Sequence, residues 1–204
     1  MANFTRNGYG QVEPNQLSAQ KTGQIYASLP LDSSVKVLQN GEFMFYDYKT
    51  GTVTANATIG EPMLVFNEIK LYEPYWQTSY KDFAMIRVGD NYVTSRLATA
   101  AYGENSDKQQ AATIDPAHTE YGYRMDGIAP RLMKTNIGDI YTTNMVKTGT
   151  DVTYAAGDVL KLKKTDRNTL ELDKDGDIDT VQFVVAKVYT MPDGQAGLKL
   201  QRVK

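Results

Sequence analysis

The chain has 204 residues, no cysteine, and 22 Lys plus Arg against 24 Asp plus Glu, for a formal charge of −2. The length suits one all-β domain or two small ones, and the missing cysteines exclude disulfide frameworks, thiolate metal sites and a cysteine nucleophile. The balanced charge has no long basic run, so the phosphate-neutralising footprint of a nucleic-acid binder is missing and no direct nucleic-acid binding is expected.

The apolar residues are weighted towards Tyr, Phe, Val and Ile, types that fit a pleated, half-buried surface. Met1 to Gly8 carry neither a basic n-region nor an apolar h-region, and no apolar run reaches the roughly 18 residues that would cross a bilayer. The expectation is a soluble chain that folds in a reducing, intracellular place, with no membrane partner.

Residues 1–31 are polar and broken by Gly8, Gly10, Pro14, Gly23 and Pro30, with single apolar residues too sparse to make a core-facing stripe. They read as an extended N-terminal arm that orders by lying across a neighbouring subunit, with a floppy terminus of no role as the alternative. Its interface anchors would be Phe4, Tyr9, Val12, Leu17, Ile25 and Tyr26.

Residues 32–101 read as a β meander region. Val35 to Leu38, Glu42 to Tyr48 and Thr52 to Ala55 are short runs separated by Gln39-Asn40-Gly41 and Lys49-Thr50-Gly51, and Asn-Gly tolerates the positive φ of a type I′ hairpin turn. Pro62 to Tyr72 alternates like one long strand. Asp82 to Val88 and Tyr92 to Arg96 flank Gly89-Asp90-Asn91 as a hairpin, and Leu97 to Ala101 reads as a helical turn.

Residues 102–135 hold no sustained period and read as a long loop or an excursion packed on a partner. The C-terminal β region, 136–204, returns to strands at residues 139–146, 150–154, 158–163, 169–172, 180–189 and 196–203. Ala155-Ala156-Gly157 is a turn entering a strand, and Met191-Pro192-Asp193-Gly194 a loop between the last two. Regular short strands with turn signals predict an all-β sandwich or small β-barrels carrying the N-terminal arm.

Four patterns bear on chemistry. Asp173, Asp175, Asp177 and Asp179 alternate around Gly176, and a tight acidic loop can offer oxygens to Ca²⁺. The spacing departs from an EF-hand, however, with Ile178 at the glycine position and Val184 where a bidentate Glu belongs. Asp175-Gly176 as the turn of a hairpin is the favoured reading, calcium is the alternative, and no other cofactor is expected. The lone histidine, His118, sits between Asp115 and Glu120 without a nucleophile motif and reads as a polar loop residue. Gly8-Tyr9-Gly10 is too short for a phosphate cradle. The stretch from Tyr72 to Phe83, with Tyr72, Tyr75, Trp76 and Tyr80, suits core packing, a subunit interface or sugar stacking. No enzyme activity is expected from these patterns.

The polar arm, the runs Val37-Leu38-Gln39-Asn40-Gly41-Glu42-Phe43 and Gly157-Asp158-Val159-Leu160, and the cysteine-free, Tyr- and Thr-rich β composition resemble small virion structural proteins of tailed bacteriophages, in particular capsid decoration or cement proteins. The resemblance implies a homo-oligomer in the virion, assembled in the host cytoplasm, that binds the major capsid protein and stabilises the lattice. It maps no site residue. Two alternatives stand beside it: a glycan-binding head fibre or host-attachment module, and a minor capsid or connector component. On the arm model, removing residues 2–25 would leave a folded β core that no longer attaches.

Overall fold

The structure is a computed structural model that describes residues 4–6, 8–57, 59–68, 83–88, 91–95, 129–191 and 194–204, with backbone alone at 88 and 91–95. The described residues form fourteen strands and one short helix. In chain order these are β1 (Val12–Gln16), α1 (Ser18–Thr22), β2 (Ile25–Tyr26), β3 (Val37–Gln39), β4 (Phe43–Asp47), β5 (Thr52–Thr54) and β6 (Met63–Val65). They continue with β7 (Ala84–Val88), β8 (Asn91–Ser95), β9 (Leu132–Met133), β10 (Ile140–Thr143), β11 (Val159–Lys164), β12 (Leu170–Asp173), β13 (Ile178–Thr190) and β14 (Ala196–Arg202).

The fold is all-β, with antiparallel sheets in a sandwich-like arrangement. An 11-stranded sheet runs β1-β10-β14-β13-β11-β12-β4-β6-β9-β2, with β5 on β4, and a 3-stranded sheet runs β3-β7-β8. Strands from residues 32–101 and 136–204 therefore share one sheet and one core. Phe43 of β4 meets Phe183 of β13 at 5.5 Å between ring centroids, although β11 and β12 lie between their strands in the sheet. That contact records how strongly the sheet curls.

β1 and β2 lie at the two ends of this sheet, yet only α1 and its flanks separate them in the chain. The β9–β10 connection makes the same jump. A cluster of polar side chains ties the two connections together. Asp139 accepts from the Ser18 amide at 3.1 Å, the Ser18 hydroxyl at 3.0 Å and the Asn136 amide at 2.9 Å. Asn136 donates on to Ser18 Oγ and Gln24 Oε1, and Arg202 donates to the Thr135 carbonyl.

The arm is extended, but it lies on its own chain. Phe4, Tyr9 and Leu17 are buried, and Val12, Ile25 and Tyr26 pack against the main core. These residues make no stripe because each enters the core at a different place. Phe4 packs edge-on against Tyr154 at 5.2 Å, and Tyr9 joins Ala84 and Ile86 in a small second core. Backbone partners do the rest: the Phe4 amide donates to the Val152 carbonyl at 2.8 Å and the Gln11 amide to Asn144 Oδ1 at 2.7 Å. With this much buried surface, a truncation of residues 2–25 is not expected to leave a folded core.

Several strand pairings differ from the sequence reading, each for an identifiable reason. Asn40-Gly41 does not join a hairpin, because β3 pairs β7 in one sheet and β4 pairs β5, β6 and β12 in the other. Gly41 has φ 92° and a Cβ there would meet Met145 Cβ at 2.5 Å, so this is a corner between sheets. Only the second turn of the expected meander is a hairpin, β4 to β5, closed by Gly51 at φ 67°.

Asp175-Gly176 is not a hairpin turn either. β11 lies between β12 and β13, and the connection passes over its backbone. A Cβ on Gly176 would stand 2.6 Å from the Lys161 carbonyl oxygen, so glycine is needed here for close approach and not for a positive φ.

The strand expected from Pro62 to Tyr72 spans Met63–Val65, and residues 69–72 lie outside the described residues. It stops where the Asn40 side chain takes over the pairing: Asn40 Oδ1 accepts from the Asn67 amide at 2.8 Å and Asn40 Nδ2 donates to the Asn67 carbonyl at 3.0 Å. Residues 150–154 form no strand, and Tyr154 is instead held by its hydroxyl on the Lys147 carbonyl at 2.8 Å. The β7–β8 hairpin is present, with residues 89 and 90 outside the described set.

The remaining C-terminal strands form where alternation places Leu160, Leu162, Leu170, Leu172, Val181, Phe183, Val185, Leu198 and Leu200 in the core.

Candidate interaction surface

Three tyrosines stand together where β2 meets the β4–β5 hairpin. Tyr26 and Tyr46 have ring centroids 5.4 Å apart at 53°, and Tyr46 and Tyr48 are 5.3 Å apart at 74°. Tyr48 is 76% exposed at the hairpin tip. The ridge is held from beneath. Ser28 donates its amide to the Tyr46 hydroxyl at 3.1 Å and its own hydroxyl sits in short contact with the same atom. Asp47 orders the tip, accepting from the Lys49 amide and the Thr50 hydroxyl, both at 2.9 Å. A tyrosine offers a large apolar face with a polar end and loses few rotors on contact, which is why such clusters suit protein interfaces.

Of the residues read as anchors, Tyr26 is the one that joins this ridge. Phe4, Tyr9 and Leu17 are committed to the interior and Val12 and Ile25 are half-buried against it. Tyr72, Tyr75, Trp76 and Tyr80 lie outside the described residues, as do His118 and the loop 102–128. Tyr46 and Tyr48 were legible only as members of a strand. The signal that could have found them is the run Tyr46-Asp47-Tyr48 leading into a turn, where alternation puts both rings on one side.

The four aspartates of residues 173–179 are not gathered around one point. Asp173 is buried, with its carboxylate 3.4 Å from Lys147 Nζ and 3.8 Å from Lys163 Nζ, and Asp179 faces Lys204 at 3.2 Å. Among the described residues no group of three or more His, Cys, Asp or Glu is placed to hold a metal ion.

Among the described residues the most deeply buried carboxyl is Glu42. Burial raises its pKa, opposed by the Arg167 guanidinium at 2.8 Å, the Gln39 amide at 2.8 Å and the Thr169 hydroxyl at 2.8 Å. Each oxygen is engaged by the protein's own donors, so Glu42 acts as a junction between the β3–β4 corner and β12. At the surface, Asp158 closes the turn before β11 by accepting from the Ala155 amide at 2.7 Å. Its pKa is lowered, first by Lys174 and then by that amide.

Comparison with known proteins gave no match: no family model, no curated protein and no solved structure matches the chain.

Proposed function

We propose that this chain is a virion structural protein of the decoration or cement type, which attaches to a capsid lattice and stabilises it. The observation that supports the reading is the tyrosine ridge of Tyr26, Tyr46 and Tyr48, mounted on a β scaffold whose arm is spent on its own core. A protein that adheres through a rigid patch loses little entropy on docking, and many modest contacts on a repeating lattice multiply through avidity. The attachment surface is therefore the folded body, and the arm's part is to brace it.

The rings are mutually tilted, by 53° and 74°, so together they offer edges and a groove to a protein side chain.

Light scattering of the protein with and without purified capsid shells tests the proposal. The expected result is a small species that joins the shells, and whose binding is weakened about tenfold or more by Tyr46→Ser with Tyr48→Ser. A stable large ring that ignores shells would favour a connector, and sugar-dependent quenching of tyrosine fluorescence would favour the glycan reading.

A further inference from the structure

β13 is longer than the strands beside it. It pairs β11 from Ile178 to Val184 and β14 from Phe183 to Thr190. Residues 186–190 therefore have β14 on one side and, among the described residues, no strand on the other. The shared stretch ends in a turn. The Gly157 amide donates to the Val185 carbonyl and the Val185 amide to the Asp158 carbonyl, both at 2.8 Å, and the Asp158 amide closes the turn on the Ala155 carbonyl at 3.2 Å.

The ladder fixes which backbone groups face the open side. The Met191 amide donates to the Gln195 carbonyl at 2.8 Å, and hydrogen-bonded and non-hydrogen-bonded pairs alternate along an antiparallel ladder. Lys187 and Tyr189 thus bond to β14, while Val188 and Thr190 turn their amides and carbonyls to the open edge. Such an edge is a template for another strand. The side chains say which strand fits. Glu13 stands opposite Thr142, Thr142 opposite Lys199 and Lys199 opposite Lys187, so the four share one face of the sheet. Like charges directly opposite repel, and among the described residues neither lysine has an ion-pair partner. The carboxylate at the far end of the row, Glu13, takes the Tyr189 hydroxyl at 2.7 Å, and Asp158 is engaged by Lys174 at 2.6 Å. On the other face Val188, 41% exposed, stands opposite Leu198.

We propose that the 186–190 edge of β13 takes up an extended segment of another protein as an added strand, and that this segment alternates acidic and apolar residues. Main-chain hydrogen bonds to Val188 and Thr190 supply the attachment, and the alternating side chains supply the selection. The acidic ones fall beside Lys187 and relieve its repulsion with Lys199, and the apolar ones fall beside Val188. A second copy of this chain is the poorer occupant. Antiparallel pairing of two such edges keeps each face on its own side, and so gathers two copies of Lys187 and two of Lys199 on one face. The inference does not rest on the lattice-attachment reading or on the tyrosine ridge.

The test is fluorescence anisotropy with two labelled heptapeptides, Val-Glu-Val-Glu-Val-Glu-Val and Val-Lys-Val-Lys-Val-Lys-Val. Wild type should bind the acidic peptide about fivefold more tightly than the basic one. Lys187→Glu sets opposite charges across from each other, which keeps the fold, and should reverse that preference. Val188→Pro removes an N–H that the β13–β14 ladder does not use, and should weaken binding of the acidic peptide about tenfold. Bound peptide should also slow hydrogen exchange at the Val188 and Thr190 amides. Melting temperatures are measured first, and if Val188→Pro lowers its own, Lys187→Glu and the exchange measurement carry the test. The proposal is overturned by a wild type that does not bind the acidic peptide, by equal affinity for the two peptides, or by binding that leaves those two amides unprotected. A wild-type dimer that Val188→Pro makes monomeric assigns the edge to self-association and overturns it as well.

Discussion

β14 and β1 sit two strands apart in the same sheet and reach it by different means. β14 buries Leu198, Leu200 and Arg202 on one face and turns Lys199 and Gln201 to the other, and its pairing to β13 follows from a short loop. β1 has no buried residue in its own span, carries Pro14 and is bulged between Glu13 and Gln16 against β10. It is held by what flanks it: Tyr9 and Leu17 in the interior, the Gln11 amide on Asn144, and the Glu13 carboxylate taking the Tyr189 hydroxyl at 2.7 Å. A strand can thus be specified by a repeating pattern or by a few long-range fixings. Only the first kind is written locally.

The sharpest way to break this comparison is to remove the irregular partner. Deletion of residues 2–25 takes out Phe4, Tyr9, Leu17, β1 and α1. Buried side chains of this size are worth about 2–5 kcal/mol each, so the loss exceeds or matches a typical folding free energy of about 5–15 kcal/mol. Thermal unfolding by circular dichroism should show no cooperative transition, and a sharp transition would mean the arm is dispensable.

Glycines divide the same way. Gly176→Ala forces a methyl group against the Lys161 backbone and should cost about 3 kcal/mol. Gly51→Ala at the hairpin tip meets no atom within 4 Å and should cost only about 1 kcal/mol for its positive φ. Urea midpoints for the two variants separate a crossing from a turn, and equal costs would contradict the crossing.

Glu42 gives a pH-dependent version. Its folded pKa is raised by burial, so the stability it contributes is full below the usual carboxylate pKa and declines as pH rises through the raised value. Glu42→Gln has no such titration. The difference in stability, wild type minus variant, should therefore fall as pH rises above the ordinary carboxylate range. A constant difference would show that Arg167 and Thr169 offset burial completely.

The smallest expected effect is at Tyr141. Its ring is fully buried edge-on to Phe183 at 5.6 Å, its hydroxyl has no hydrogen-bond partner, and burial raises its pKa well above the ordinary tyrosine value. Tyr141→Phe should be neutral or stabilising by up to about 1 kcal/mol, since it removes an unpaired polar group without changing shape. A drop in melting temperature would reveal a partner for that oxygen.

The all-β class was legible because it rests on composition, alternation and turn residues, and alternation also located β11, β13 and β14 closely. Pairing was not legible where it depended on distant partners. Asn-Gly and Asp-Gly announce a change of chain direction, but whether the next strand lies beside the previous one depends on residues far away. At Gly41 that residue is Met145, and at Gly176 it is the Lys161 backbone. The tyrosine ridge was half legible, since Tyr26 stood out in a polar segment while Tyr46 and Tyr48 were absorbed into a strand. Ile59 and Ile137, both largely exposed, gave no signal at all. A single exposed isoleucine in a sequence looks like any other core residue until its surroundings are known.

The placement of β1 also governs when this protein can form. β1 pairs β10, β10 pairs β14, and Gln11 and Thr143 bond across a separation of 132 residues. A chain emerging from the ribosome at about 5–20 residues per second keeps its first strand waiting on the order of 10–40 s for β14 to appear. During that interval the sheet between β10 and β13 is incomplete, although Ala84 and Ile86, the partners of Tyr9, are made early. The sheet that holds β1 is thus completed late, and the early segments are the part most in need of a chaperone.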